Sequence, residues 1–315
     1  MNIAILGATS QIAKDLILSF ASKTDYKCSL FARKPLLLAE WIKNKNITKD
    51  YEVLSYSGFI HTKKFDVIIN FVGVGDPAKA VNMGADIFDV TLKYDLQALN
   101  YIQKNPSCKY IFLSSGAVYG SSFDEPVDAD SEANIPINNF KLQDCYSVAK
   151  LYAECRHRAL PELPIIDIRL FNYFSYSQNM SARFLISDTL RAINDNNILV
   201  TSAHNIVRDY IGPHDFFNLV SHLITTLDTN DVIDAFTKEP VDKFTLLLAL
   251  KENFGLRYEV DDSSVGLNAT GMKINYFSKN RKASKYGYLP IKTSLDSILE
   301  QSKQLLEHIN SVKKQ

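Results

Sequence analysis

The sequence predicts an α/β fold in which a doubly wound parallel sheet is joined to a smaller C-terminal lobe. Short β-rich runs alternate with helical patterns through the first half of the chain, which is typical of β-α-β units. After Asn172 this alternation loosens and polar stretches become frequent. With 315 residues, the chain is long enough for one large domain and a smaller partner.

Five apolar runs are the candidate strands of the sheet. They are Ile3 to Leu6, Cys28 to Phe31, Val67 to Val72, Tyr110 to Ser114 and Ile165 to Leu170. Apolar side chains also recur at three- and four-residue steps between Ile87 and Ile102, and again between Leu295 and Ile309. This spacing predicts two amphipathic helices, the first of them packed on the sheet or on another subunit.

The composition argues against several classes of function. Lysine and arginine total 35, as do aspartate and glutamate, so no net charge favours nucleic acid or an anionic membrane. The four cysteines include no Cys-x-x-Cys pair, and the six histidines are dispersed without metal-ligand spacing. We therefore expect no disulfide framework, no structural zinc and no catalytic metal. The Gly-x-Ser-x-Gly elbow of serine hydrolases is also missing from the sequence.

The first residues bear on the compartment. Met1 leads directly into the apolar run Ile3 to Leu6, with no basic region or cleavage site. No uninterrupted apolar stretch approaches the length of a bilayer span. We expect a soluble cytoplasmic protein in a reducing compartment, with no membrane partner.

A small-residue turn follows the first candidate strand, and helical periodicity begins directly after it. Such a turn lets the backbone approach a pyrophosphate, whose charge is then met by the helix N-terminus. The usual glycine triplet is incomplete, because Ser10 and Ala13 stand where the second and third glycines would be, and the Ser10 hydroxyl offers its own phosphate contact. The alternative is that these small residues serve packing alone. The candidate cofactor contacts are Gly7, Thr9, Ser10, Gln11 and Ile12.

The choice of cofactor depends on the end of the second strand. It continues into Arg33 and Lys34, at the position where an NAD site places a carboxylate on the ribose. These cations suit a 2′-phosphate, so NADP(H) is the preferred cofactor and NAD(H) the alternative, unless both are simply solvated charges. The next candidate strand leads into Phe71, Val72 and Gly73, where a glycine either lets backbone approach the cofactor ribose or merely ends the strand.

Tyr146 and Lys150 are four residues apart, so on a helix they lie on one face and point into the same space. A phenol titrates near pKa ~10 in water, and an adjacent ammonium lowers that pKa toward neutrality, where the phenol exchanges a proton during turnover. The pair is therefore a candidate acid/base device. The alternative for Tyr146 is an ordinary core tyrosine.

Taken in order, five motifs resemble the extended short-chain dehydrogenase/reductase family, most closely its nucleotide-sugar epimerases, dehydratases and 4-ketoreductases. The motifs are Gly7 to Ala13, Ser114 to Gly120, Tyr146 to Lys150, Arg169 to Asn172 and Arg208 to Ile211. The resemblance implies a Rossmann-type NADP-binding domain over residues 1–171, rejoined by about residues 206–232. It also implies a substrate-binding lobe formed mainly by residues 172–205 and 233–315, and a homodimer.

The resemblance assigns roles to single residues near the cofactor. Ser115 would polarise the reacting carbonyl, although it also suits a cap on the strand end. Tyr146 would be the general acid or base, and Lys150 would hold the nicotinamide ribose while keeping the phenol acidic. Ser114 would contact the cofactor.

On the substrate side, the resemblance implies contacts from Gly116, Asn172 and Arg208. The Arg208 guanidinium would grip the diphosphate of a nucleotide sugar through charge-assisted bonds. Asn172 is otherwise a turn asparagine, and Arg208 otherwise forms an ion pair with Asp209 or Asp215.

Two departures from the family pattern narrow the expected reaction. Gly116 and Ala117 stand where sugar 4,6-dehydratases carry an acidic pair, so we do not expect dehydration. The segment Leu54 to Ser57 has no acid where the family often places one near the adenine. The expected function is NADPH-dependent reduction of a 4-keto nucleotide-diphosphate sugar. The alternatives are a nucleotide-sugar 4-epimerase with tightly bound NAD and a non-catalytic NADP-binding protein that keeps the fold.

Overall fold

Strands and helices alternate along the chain in this computed structural model, which describes residues 1–61, 64–74, 77–226, 229–261 and 273–313. The strands are β1 (Asn2–Leu6), β2 (Lys27–Phe31), β3 (Glu52–Leu54), β4 (Val67–Asn70), β5 (Lys109–Ser115), β6 (Ile165–Leu170), β7 (Asn172–Tyr173), β8 (Ile198–Thr201), β9 (Val207–Arg208), β10 (Tyr210–Ile211), β11 (Asp231–Asp234), β12 (Val241–Asp242), β13 (Arg257–Val260) and β14 (Asn275–Tyr276). The helices are α1 (Gln11–Lys23), α2 (Pro35–Asn44), α3 (Pro77–Met83), α4 (Asp86–Lys104), α5 (Cys145–Arg158), α6 (Leu185–Asn194), α7 (Pro213–Thr225), α8 (Lys243–Phe254) and α9 (Ser294–Lys313).

Seven parallel strands form the central sheet, in the order β3-β2-β1-β4-β5-β6-β11. This order confirms the predicted doubly wound α/β fold, and each of the five candidate strands belongs to the sheet. The strand expected to reach Val72 ends at Asn70 instead, because the Asn70 side-chain oxygen accepts the Val72 amide at 2.8 Å. The strand order reverses beside β1, and ligands of such sheets bind in the crevice at that point.

Both faces of the sheet are covered, and β1 shows how the sequence achieves this. Ile3 and Ile5 belong to an apolar core on one face, where Phe20 of α1 and Leu219 of α7 also pack. The intervening Ala4 and Leu6 belong to a second core, with side chains of α4 and α5. Because successive side chains of a strand point to opposite faces, one run of apolar residues serves both cores.

Helix α7 and strand β11 return the chain to the central sheet after strands β7 to β10, which lie outside that sheet. Strand β11 pairs with β6 at the sheet edge. The C-terminus of α7 is tied to the start of β5 by Lys109, whose ammonium donates to the carbonyls of Leu223, Ile224 and Thr226 at 3.0, 3.1 and 2.6 Å. These contacts lie near the expected return segment 206–232, whose bounds stay a prediction, as do those of the two lobes.

A third apolar core lies between helices α6, α8 and α9, and includes Leu190, Leu247 and Ile298. Beside it, β9 pairs in antiparallel fashion with β12 and in parallel with β14, while β7 pairs with β10 and β8 with β13. The pairing of β9 with β14 sets Tyr276 opposite Arg208. Within the described ranges, no helix is both long and apolar enough to cross a bilayer.

Candidate active site

The site residues predicted from sequence gather at the carboxyl edge of the central sheet. Gly7 follows β1, Arg33 follows β2 and Phe71 follows β4, while Ser115 is the last residue of β5 and Asn172 lies just beyond β6. The carboxyl ends of parallel strands lie at one edge of their sheet. Residues that directly follow those ends are therefore on one side of the sheet, although they are far apart in the sequence.

The turn after β1 requires glycine at position 7. Gly7 has a φ of +75°, and a Cβ there would lie 2.8 Å from the Phe71 carbonyl carbon and the Val72 nitrogen. Its amide donates to the Tyr56 hydroxyl at 3.0 Å. Ser10 caps α1, because its hydroxyl accepts the Ala13 amide at 3.3 Å. The backbone therefore passes close to the end of β4, as a pyrophosphate-binding turn does.

The remaining turn residues differ in what they offer a cofactor. Thr9 is exposed and Ile12 is partly buried. The side-chain nitrogen of Gln11 donates to Ser175 at 2.9 Å and to Gln178 at 3.2 Å. The Gln11 side chain is thus bound to the segment after β7. The expected cofactor contact of Gln11 therefore has to come from its backbone, at the first position of α1.

Arg33 and Lys34 are exposed beyond the end of β2, and neither forms an ion pair with a described residue. Burial raises the pKa of Tyr56 to about 12, while the Gly7 amide and the charge of Arg33 oppose that rise. The Arg33 guanidinium therefore acts on the same phenol that binds the Gly7 turn. Sequence reasoning missed Tyr56, since a tyrosine after a short strand carries no local signal of this contact.

Ser115 combines the two roles considered for it. Its hydroxyl accepts the Ala117 amide at 3.2 Å and caps the 3₁₀ turn Gly116–Tyr119. The same hydroxyl lowers the pKa of the Tyr146 and Tyr276 phenols, although burial raises both values. It is buried, so any polar group placed against it would be shielded from water.

The neighbouring Ser114 has a different environment. Its buried hydroxyl donates to the Glu154 carboxylate at 2.5 Å, and Glu154 also accepts from the Arg169 guanidinium. The expected cofactor contact of Ser114 therefore has to come from its backbone, because its side chain is bound within the protein.

Tyr146 and Lys150 both project from α5 toward the end of β5, as their spacing predicts. The Lys150 ammonium donates to the Leu113 carbonyl at 2.7 Å and lies 4.2 Å from the centre of the Phe112 ring. Burial lowers the pKa of Lys150 to about 8, although nearby carboxylates oppose this. A Cβ on Gly73 would approach the same ammonium to 3.3 Å, so a small residue there leaves it room.

The expected lowering of the Tyr146 pKa is wrong for this structure. Burial raises the pKa of the phenol, and its hydrogen-bonding interaction with Ser115 offsets only part of that rise. The Lys150 ammonium is instead bound to the Leu113 carbonyl. Desolvation of the phenol therefore outweighs the attraction that the spacing suggested, and Tyr146 is protonated at neutral pH.

Tyr276 is a site residue that the sequence did not reveal. Its phenol interacts with Ser115, and burial raises its pKa. Its ring packs edge-on against Phe123 and Phe171, with centroid distances of 4.7 and 5.2 Å. The pairing of β14 with β9 holds it there, next to Arg208. Only the tertiary contact identifies this residue, because nothing in the local sequence distinguishes it from a core tyrosine.

Arg208 does not form the ion pair that was its alternative role. Asp209 is buried and accepts from Thr237 and Ser294. Asp215 accepts the backbone amides of Ile291 and Lys292, just before α9. Arg208 donates to the carbonyls of Val207 and Ile274 at 2.8 and 3.1 Å, and it has no carboxylate partner among the described residues. Its guanidinium lies 5.9 Å from the Tyr276 ring centre.

Gly116 cannot carry the acid found in dehydratases. A Cβ at this position would lie 2.4 Å from Cδ1 of Phe171, whose ring is buried and stacked on Tyr119. On the other side of the site, the Asn172 side chain donates to the Asp209 carbonyl at 3.2 Å and joins β7 to β10. Asn172 is thus the first residue of β7 and not the turn asparagine that was its alternative, and no described residue is hydrogen-bonded to its side-chain oxygen.

A buried histidine supports α5 from below the site. His157 lies 2.8 Å from Asp95 and 2.6 Å from Asp167 through its two ring nitrogens, and all three side chains are inaccessible to solvent. Burial disfavours the charged ring, but the two carboxylates outweigh it and raise the pKa of His157 to about 9. The imidazolium therefore bonds α5 to α4 and β6. The described residues contain no group of three or more His, Cys, Asp or Glu side chains that would hold a metal ion.

Together, a glycine turn after the first strand of a doubly wound sheet and a serine, a tyrosine and a lysine beside it define a Rossmann-type dinucleotide-binding protein with a short-chain dehydrogenase site. Residues 3–236 match the model of the NAD dependent epimerase/dehydratase family, and the chain belongs to that family. This confirms the resemblance drawn from the motifs, and it supports a nicotinamide dinucleotide as the cofactor. A search of curated proteins found no match.

Solved structures of the same fold include several nucleotide-sugar enzymes. One is UDP-glucuronic acid 4-epimerase from Bacillus cereus in complex with UDP-glucuronic acid and NAD, 17% identical over 98% of this chain and 100% of the other, with a TM-score of 0.77. UDP-glucose 4-epimerase from Bifidobacterium longum, in complex with NAD⁺ and UDP, is 18% identical over 98% of each chain, with a TM-score of 0.77. dTDP-glucose 4,6-dehydratase from Bacillus anthracis, in complex with NAD, is 16% identical over 98% of each chain, with a TM-score of 0.76.

Proposed function

We propose that this protein is an NADP(H)-dependent oxidoreductase that reduces the 4-keto group of a nucleotide-diphosphate sugar. The observation that carries the proposal is the placement of the buried Lys150 ammonium, which donates to the Leu113 carbonyl of β5 two residues before Ser115. Tyr146 lies one helical turn before Lys150 on α5, and the Ser115 hydroxyl lowers the pKa of its phenol against the effect of burial. These three groups lie on the side of the sheet where the Gly7 turn would receive the cofactor pyrophosphate.

The chain's own residues then have distinct tasks. Tyr146 donates its phenolic proton to the alkoxide that forms at the sugar carbonyl, and its raised pKa keeps that proton available at neutral pH. Ser115 donates a hydrogen bond to the same oxygen and stabilises its developing charge. Lys150 binds the nicotinamide ribose, and Arg208 binds the diphosphate. The bound cofactor supplies the two electrons and the hydrogen that the reduction needs.

The preference for NADP(H) rests on Arg33 and Lys34 and on the missing carboxylate after β2. Neighbouring structures contain NAD, so NAD(H) is the alternative. Arg33→Asp tests the choice, with Lys27→Asp as the control, because Lys27 is exposed at the opposite end of the same strand. Losing a charge-assisted phosphate contact should weaken NADPH binding roughly 10- to 100-fold and leave NADH binding nearly unchanged. Equal NADPH affinity in both variants would overturn the assignment.

A nucleotide-sugar 4-epimerase is the second candidate, and the structural similarity to two 4-epimerases favours it. A reductase consumes one NADPH per turnover, whereas an epimerase regenerates its cofactor and interconverts C4 epimers. Incubation with a panel of 4-keto nucleotide sugars, followed at 340 nm and by chromatography, separates the two. NADPH consumption that depends on a 4-keto sugar supports reduction; epimer exchange without it supports epimerisation. If the protein binds NADPH but shows neither of these reactions, the result supports the non-catalytic NADP-binding alternative.

The expected homodimer is also a proposal. Helices α4 and α5 pack side by side and expose Leu96 and Tyr152, which are 37% and 50% accessible. These helices are the surface through which the resemblance to the family implies dimer formation. Sedimentation equilibrium of the wild type and of Tyr152→Lys tests it, and a monomeric wild type would contradict it.

A further inference from the structure

A buried lysine near the candidate active site has no partner for its charge among the residues that the structure describes. Lys273 is 7% exposed, and its ammonium lies 4.8 Å from the centre of the Phe123 ring and 4.5 Å from that of Tyr276. It makes no hydrogen bond or ion pair with any residue in the described ranges. Burial lowers the pKa of Lys273 to about 8, the charge of Arg208 lowers it further, and Asp144 opposes both.

The other buried lysines of the described chain behave differently. Lys109, Lys150 and Lys243 each donate to at least one backbone carbonyl oxygen, at distances of 2.5 to 3.1 Å. A buried ammonium without an acceptor costs several kcal/mol unless a partner compensates it, so such groups are uncommon in the core of a protein. Lys273 departs from the pattern set by its own chain.

Its position relates this unpaired charge to the catalytic residues. The Tyr276 ring that Lys273 contacts carries the phenol that interacts with Ser115. Arg208 approaches the same ring and likewise has no carboxylate partner in the part of the chain that the structure describes. A buried and a partly buried cation that repel one another beside one tyrosine form a site suited to an anionic ligand, whose charge would be stabilised by both.

We propose that Lys273 is a second cationic contact for the substrate and binds an anionic oxygen of the nucleotide sugar. That oxygen belongs either to the diphosphate or to a carboxylate carried by the sugar ring. The inference rests on the proposed function, since it takes a nucleotide sugar as the ligand of this site. The cation–π contacts with Phe123 and Tyr276 hold the ammonium in place and accept none of its hydrogen bonds, which remain for the ligand.

Lys273→Met tests the inference, because methionine keeps most of the length and apolar contact of lysine and removes its charge. The control is Lys279→Met, which makes the same change at an exposed position of the same segment. Calorimetric titrations with UDP-glucose, dTDP-glucose and UDP-glucuronic acid, each in the presence of NADPH, give the affinities. We expect the control to match the wild type and Lys273→Met to bind roughly 10-fold or more weakly, the usual loss for a hydrogen bond to a charged group.

The pattern of loss identifies the anionic group. Equal weakening for all three ligands assigns the contact to the diphosphate, whereas weakening confined to UDP-glucuronic acid assigns it to a sugar carboxylate. Unchanged affinities in Lys273→Met overturn the inference and leave the proposed function intact. Wild-type protein that binds NADPH but none of the three ligands overturns both.

Lys273→Arg separates charge from packing. It keeps the cation, so affinity should stay within a few-fold of the wild type if the charge binds the ligand. NADPH affinity, measured in the same samples, reports whether each variant is folded. Loss of nucleotide-sugar binding in the arginine and methionine variants alike, with NADPH binding retained, assigns the effect to packing and overturns the inference.

Discussion

Alanine at position 116 tests whether the site excludes a side chain there. The new Cβ would lie 2.4 Å from Cδ1 and 2.5 Å from Cε1 of Phe171. Carbon atoms at optimal separation are roughly 3.5–4.0 Å apart, so the ring has to move by about 1 Å. Phe171 is 7% exposed and lies between Tyr119 and Tyr276, which leaves it little room. Overpacking of this kind typically costs about 1–3 kcal/mol, and we expect Gly116→Ala to lower the free energy of unfolding by that amount.

Urea denaturation of four proteins gives the measurement: the wild type, Gly116→Ala, Phe171→Ala and the double variant. Alanine at position 171 removes Cγ, Cδ1 and Cε1, the ring atoms that the new Cβ would meet, so the double variant should be more stable than the sum of the single effects predicts, by about 1 kcal/mol or more. Gly58→Ala is the control, because a Cβ there would have its nearest contact at 3.8 Å from Leu54. Gly116→Ala that is as stable as this control, or strictly additive effects in the double variant, would refute the steric account.

Three further predictions concern protons and buried charge. His157 should titrate near pH 9 when its ring is followed by NMR. Between pH 6.5 and 9 the unfolded chain loses this proton and the folded chain keeps it, so the free energy of unfolding should fall by about 3 kcal/mol across that window. A buried histidine that titrates near pH 6.5 would contradict this prediction. Tyr146→Phe should reduce turnover about 100-fold or more while NADPH affinity, measured by fluorescence, is retained; undiminished turnover removes the phenol from the mechanism. Lys109→Met leaves three carbonyls at the end of α7 without their donor and should lower the free energy of unfolding by about 2–3 kcal/mol in urea, so a change below about 0.5 kcal/mol would contradict the capping role.

The sequence predicted the parts of the structure that local patterns determine. The runs at Ile3 to Leu6 and Ile165 to Leu170 are strands of the sheet because apolar residues in a parallel sheet are buried on both faces. The four-residue spacing of Tyr146 and Lys150 placed both side chains on one face of α5, as found. Spacing alone could not give the balance between burial and charge that raises the pKa of Tyr146, because that balance depends on what the fold packs around the phenol.

Contacts between distant segments were the part that the sequence left open. Tyr276 reaches Ser115 because β14 pairs with β9, and two-residue strands carry too little pattern to reveal their partners. The steric clash that a side chain at position 116 would cause is with Phe171, which follows a different strand, β6. In both cases the missing information is a pairing between segments, and no residue type or spacing within one segment encodes it.

A chain of buried and partly buried hydrogen bonds connects the neighbourhood of Tyr276, on β14, to that of Ser115, on β5. Each hydrogen bond in the chain is 2.9 Å or shorter. The chain starts at Ser278, close to Tyr276 in sequence, and ends at Ser114, which directly precedes Ser115. The members, in order of contact, are Ser278, Asp234, Tyr119, Arg169, Glu154 and Ser114. Arg169 is central, since it donates to both Tyr119 and Glu154. A fully satisfied buried network is rigid, because releasing one member leaves its partners unpaired in a medium of low dielectric. The geometry at Ser115 therefore depends on Arg169, which accounts for an arginine in that motif without requiring it to touch the substrate.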